Sequence, residues 1–92
     1  MAAMRLRVVF HGMVQGVGFR YTTMRVASAF DVTGYVKNEV DGTVELVAEG
    51  ERAELEAFLE SVSERMAGYI RRREVGWSPA TGGFERFGVR MS

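Results

Sequence analysis

From residue 4 the chain alternates. Met4, Leu6, Val8 and Phe10 are apolar, and Arg5, Arg7, Val9 and His11 fall between them. A period of two is that of a strand with one buried face. At Phe19 the period changes: Phe19, Thr23, Val26, Ala27 and Phe30 recur at helical spacing, which predicts a first helix of about three turns. Alternation returns from Val32 to Asn38, and Asp41-Gly42 signals a tight turn into Thr43 through Ala48. Parity separates two possible turns. A two-residue turn would set Val36 and Asn38 on the face of Glu45. A three-residue loop, Val40-Asp41-Gly42 with Gly42 left-handed as a bulge, puts Val36 opposite Leu46 and Asn38 opposite Val44. The bulged form keeps the apolar residues together and is the expectation.

Leu55, Phe58, Leu59, Val62 and Met66 mark a second amphipathic helix, with Glu54, Glu56, Glu60 and Glu64 toward water and Gly68 placed to end it. A fourth strand is expected from Tyr69 to about Trp77, then a loop with Pro79, Gly82 and Gly83. Phe87, Val89 and Met91 share one face of a last strand. The order β-α-β-β-α-β predicts an α+β, ferredoxin-like sandwich: a mainly antiparallel sheet of four to five strands with two helices on one face. That plan serves many functions, so function has to be argued from a site.

Composition narrows the choice. The 92 residues suit one domain, 1–92, and 47% are hydrophobic, enough for a core. The chain has no cysteine, which excludes disulfides, thiolate zinc sites and a cysteine nucleophile, and points to a cytoplasmic setting. Val8-Val9-Phe10 is too short for a signal segment, and no apolar run approaches membrane-spanning length. Twelve basic and twelve acidic residues cancel, which argues against a nucleic-acid partner.

The densest candidate chemistry lies in Gly12-Met13-Val14-Gln15-Gly16-Val17-Gly18-Phe19-Arg20, between the first strand and the first helix. Gly12, Gly16 and Gly18 allow the backbone to curl and present its N–H groups. The helix N-terminus adds a positive dipole end, and Arg20 a planar fork that can grip two oxygens. Together they could cradle a phosphate. Equally, the glycines could make a tight turn and Arg20 could be a solvated surface residue. No Lys-Ser or Lys-Thr follows the last glycine, so this is no Walker loop, and the third glycine of a dinucleotide fingerprint is missing.

The same nine residues resemble the first signature of the acylphosphatase family, G-x-V-Q-G-V-x-F-R. Gly34-Tyr35-Val36-Lys37-Asn38, Gly42-Thr43-Val44 and Gly50 resemble its second, G-[FWY]-V-x-N-x-x-x-G-x-V-x-x-x-x-x-G. Length and element order extend the resemblance over essentially the whole chain. It implies hydrolysis of a small acyl phosphate to carboxylate and inorganic phosphate, with phosphate also a competitive inhibitor. It implies two catalytic residues: Arg20 on the phosphate and Asn38 orienting the attacking water. Substrate contacts would come from Gln15, Gly16, Val17, Gly18, Phe19 and Arg20. No metal, cofactor, membrane or nucleic acid is expected, and the protein should be a monomer. Gly18 takes a position where many members carry an aromatic residue.

The other candidates carry less. His11 ends the first strand beside the cradle, where a strand-end role competes with general-base chemistry. Arg71-Arg72-Arg73, followed by Glu74, reads as a solvated face. Glu49 and Glu51 read as a helix N-terminus, Met13, Met24 and Met66 as core or loop filling, and Trp77 as a packing residue. The rival functions are a non-catalytic anion-binding module and a nucleic-acid-binding module of the same fold. Phe84-Glu85-Arg86-Phe87-Gly88-Val89 lacks the aromatic spacing the latter needs.

Overall fold

A computed structural model describes residues 3–91. Its elements are β1 (Met4–Gly12), α1 (Phe19–Ala27), β2 (Thr33–Asn38), β3 (Val44–Gly50), α2 (Arg52–Arg65), β4 (Ile70–Pro79) and β5 (Phe87–Arg90). The strands form one sheet in the order β4-β1-β3-β2-β5, antiparallel except where β5 runs parallel to β2. The alternation of β1 has its expected result. Leu6, Val8 and Phe10 are fully buried and join Val36, Val44 and Leu46 in one core, which Phe19 and Val26 of α1 and Leu55, Phe58 and Val62 of α2 close from one side. This is the ferredoxin-like α+β sandwich.

The hairpin between β2 and β3 takes the bulged form. Val36 pairs with Leu46 and Asn38 with Val44, Gly42 has φ 92°, and Glu39 N–H donates to Thr43 O at 2.9 Å across the three-residue loop. This register decides the site, because it puts Asn38 on the helix-bearing face at the end of β2.

Several expectations need correction. Pro79 closes β4 opposite Met4 rather than standing in a loop. An edge strand tolerates a residue without an N–H. The first helix stops at Ala27, with Ser28 as its C-cap, so Phe30 packs on Phe58 (ring centroids 6.0 Å apart) from beyond the helix. The second helix ends at Arg65 without a left-handed glycine; Met66 O accepts from the N–H groups of Tyr69 and Ile70 to form the turn.

Glu49 is no helix-terminus residue. It lies within β3 on the helix-free face and is only 5% exposed. Because β4 and β5 occupy opposite edges, residues 80–86 must cross that face. Glu49 holds the crossing segment, accepting from Arg5 Nε (3.0 Å), Thr81 N–H (3.0 Å), Thr81 Oγ1 (2.8 Å) and Gly82 N–H (2.9 Å). Burial opposes its charge, but these donors and the charge of Arg5 outweigh burial and hold its pKa below the ordinary glutamate value. Next to it, Phe84 packs on the Tyr35 ring at 5.9 Å and under Arg5 at 5.3 Å. The crossing segment thus sets β5 beside β2, with the end of β5 close to the start of α1.

Candidate active site

The loop from Met13 to Gly18 is pinned at its ends. Val14 and Phe19 are buried in the core, and the Phe19 ring lies 4.9 Å from that of Phe10. Gly12 presses against β4, where a Cβ would stand 2.3 Å from Tyr69 O, so this glycine serves the sheet and not the cradle. Between the pins, Gly16 (φ 76°) and Gly18 (φ 79°) adopt left-handed conformations with open space beside them. That curl costs a side-chain-bearing residue about 1–2 kcal/mol per position. Gly18 is also the N-cap of α1, with no side-chain capping bond and no acidic residue in the first turn. The N–H groups of residues 15–18 make no hydrogen bond to another described residue. Unpartnered amides thus stand at the positive end of a helix, and Gly16 and Gly18 line a cavity there.

That cavity has a volume of about 520 Å³, and Gly16, Gly18, Arg20 and Asn38 contribute to its lining. The two residues matched to catalytic roles, eighteen positions apart in sequence, therefore share one pocket. No carboxylate among the described residues pairs with Arg20; Arg20 Nη1 instead contacts Met91 Sδ at 3.5 Å. Asn38 Oδ1 is buried and has no hydrogen-bond partner among the described residues. A buried carbonyl oxygen without a donor costs about 1–3 kcal/mol, and the residue that carries it lines the cavity together with Arg20.

Of the other residues expected to touch substrate, Phe19 has its side chain in the core, and Val17 packs against the core. Gln15 turns away from the cavity. Its Nε2 donates to Glu39 O (2.7 Å) and Thr43 O (2.9 Å), clamping the loop to the hairpin that carries Asn38. Phe19 nevertheless contributes to the cavity lining, whereas Gln15 and Val17 do not. Sequence reasoning missed this clamp, and no local pattern signals it, because it depends on which strands are neighbours. It also missed Met24 and Met91, expected as filling or as a strand face, which line the cavity with Tyr21 and Val89.

The sequence profile of the Acylphosphatase family matches residues 6–89. The chain belongs to the acylphosphatase family. It is 49% identical over 80 residues to an acylphosphatase of Salinibacter ruber, covering 86% of this chain and 84% of that one. It is 41% identical over 96 aligned positions to an acylphosphatase of Syntrophotalea carbinolica, covering 99% and 100%. The crystal structure of acylphosphatase from Bacillus subtilis superposes with a TM-score of 0.85 at 34% identity, covering 95% of this chain and 98% of that one. Both stretches that resemble the family's signatures reach the pocket: the first through Val14, Gly16, Gly18, Phe19 and Arg20, the second through Asn38 alone.

The remaining candidates lie elsewhere. His11 is on the helix-free face, hydrogen-bonded to Glu74, which also pairs with Arg72 at 3.4 Å. Arg73 bridges to Ser63 (2.7 Å) and Glu60 (2.8 Å) on α2. Trp77 carries the Arg52 guanidinium 4.2 Å from its ring centroid. None of them enters the pocket. No helix among the described residues is long and apolar enough to cross a membrane.

Proposed function

We propose that the protein hydrolyses small acyl phosphates by in-line attack of water at phosphorus. The main-chain amides at the start of α1 and the Arg20 guanidinium hold the phosphoryl oxygens. The Asn38 side-chain amide hydrogen-bonds the attacking water and turns its lone pair toward phosphorus. The water oxygen–phosphorus bond forms as the bond from phosphorus to the acyl oxygen breaks, and the carboxylate leaves with the electron pair. The water's proton passes to a phosphate oxygen of the substrate. A carboxylate leaves readily, so no general acid is required, and a loose phosphoryl transition state asks chiefly for positioning and charge stabilisation.

The observation that carries this reading is that Asn38 and an Arg20 free of any carboxylate among the described residues line one cavity. Phosphate, as product, is then a competitive inhibitor. We take the protein to act as a cytoplasmic monomer. The test is phosphate release from benzoyl phosphate, with phenyl phosphate as the ester control. Turnover of the anhydride but not the ester is expected, and phosphate binding without turnover of either would assign the fold to anion binding alone.

A further inference from the structure

Arg20 has one hydrogen-bond partner among the described residues, and it is a sulfur: Nη1 stands 3.5 Å from Met91 Sδ. A thioether accepts hydrogen bonds weakly, so the guanidinium is free to turn to a phosphate. The chain has no cysteine, so methionine is its only sulfur. Among the described methionines Met66 is buried and Met4 and Met24 are half-buried, whereas Met13 and Met91 are each 74% exposed. Exposure decides which thioethers meet an oxidant from solvent. Of the two open ones, Met13 stands outside the cavity lining and Met91 touches the cation.

We infer that Met91 is an oxidation site through which hydrogen peroxide weakens the phosphate grip of Arg20. The inference rests on the hydrolytic reading above, because that grip is what oxidation alters. A lone pair of the sulfur attacks one peroxide oxygen, and the sulfur–oxygen bond forms as the oxygen–oxygen bond breaks. The departing hydroxide takes the proton left on the transferred oxygen and leaves as water. Sulfur loses two electrons and the peroxide gains them. The sulfoxide carries a strongly polar oxygen one bond from the atom that Arg20 already meets. That oxygen accepts from the guanidinium where the sulfur did so weakly, and a phosphoryl group then has to displace it. The sulfoxide is neutral, so Arg20 keeps its charge and the site is weakened, not abolished. Methionine sulfoxide reductases return the thioether, which makes the change reversible.

The test treats the full chain with hydrogen peroxide and locates the added oxygen by peptide mass spectrometry. Benzoyl phosphate hydrolysis, orthophosphate inhibition and a thermal melt are measured before and after. KM and the phosphate inhibition constant should rise together by about 3–10-fold, the worth of one hydrogen bond that phosphate has to displace. Both should return after methionine sulfoxide reductase treatment, with the melting temperature unmoved throughout. With each variant set against its own untreated sample, Met91→Leu should remove the rise and Met13→Leu should keep it. Met91→Gln, whose amide oxygen stands in for that of the sulfoxide, should bind phosphate more weakly than Met91→Leu with no peroxide present. The switch would be overturned by a Met91 left unoxidised where Met13 is oxidised, by an oxidised Met91 with unchanged constants, or by a rise that survives in Met91→Leu. Each of these leaves acyl phosphate hydrolysis in place. No phosphate release from the untreated parent would overturn that hydrolysis, and the switch with it.

Discussion

Replacing Asn38 by alanine should damage turnover while sparing both the fold and phosphate binding. Asn38 closes β2 opposite Val44, and its Oδ1 is sealed from solvent without a donor. Removing an unsatisfied buried carbonyl recovers about 1–3 kcal/mol. The packing lost with one truncated, half-buried side chain is of similar size, about 0.8 kcal/mol for each methylene equivalent. The two nearly cancel, so the melting temperature should stay within about 8 °C of the parent, the shift that 1 kcal/mol can produce in a domain of this size. Catalysis has no such offset. Losing one group preorganised for the transition state costs about 2.7–4 kcal/mol, or about 10²–10³ in kcat. The assay is benzoyl phosphate hydrolysis at saturation, with the orthophosphate inhibition constant and a thermal melt measured on the same sample. A kcat within threefold of the parent would refute water positioning. A melting temperature lowered by much more than 8 °C would show that the amide is structural and that its oxygen is satisfied in solution.

Arg20→Gln should raise both KM and the phosphate inhibition constant by about 10–100-fold and also lower kcat, because a charged hydrogen bond worth about 1.5–3 kcal/mol acts in ground and transition states alike; unchanged phosphate inhibition would remove Arg20 from the cradle. Gln15→Leu strips donors from Glu39 O and Thr43 O, so the melting temperature should fall by about 4–8 °C per kcal/mol lost and kcat should drop more than phosphate affinity. Equal loss of both would show that the clamp shapes the cradle alone. Acid stability follows from Glu45 and Glu49. Burial disfavours both charges, but Arg7 and Tyr35 at Glu45, and Thr81, Gly82 and Arg5 at Glu49, outweigh it, so each folded pKa lies below the ordinary glutamate value. The unfolded chain then binds more protons in that range, so this stabilisation is complete above about pH 4.5 and drains as pH falls through the folded values. Urea melts from pH 6 to pH 3 should show Glu49→Gln flattening the decline, and an identical slope in the variant would count against the ionised strap.

Much of this architecture can be read from local pattern. The parity of Val36 and Asn38 about Asp41-Gly42 fixes the hairpin register, because shifting a strand by one residue exchanges its buried and solvent faces. Gly16 and Gly18 mark the left-handed turn before α1, because few residue types tolerate that conformation beside a helix start. What escapes depends on strand order. Nothing local says that β4 and β5 take opposite edges, so Glu49 reads as a helix-start acid instead of the anchor of residues 80–86. For the same reason Met24 reads as filler. Its place in the cavity lining exists only because the end of β5 is carried to α1, and the Gln15 clamp likewise waits on β1 and β2 flanking β3.

The opening turn of α1 has a wider consequence. It begins at a glycine with neither a capping side chain nor an acid nearby, a start that forgoes about a few tenths of a kcal/mol relative to a side-chain cap. A tetrahedral dianion seated there completes the helix as a serine or aspartate would in another protein. Product binding and helix stability thereby become thermodynamically linked, and thermal resistance should climb with the logarithm of dissolved orthophosphate once that concentration passes its dissociation constant. A cell rich in phosphate would thus hold this small enzyme in a sturdier state than dilute buffer reveals.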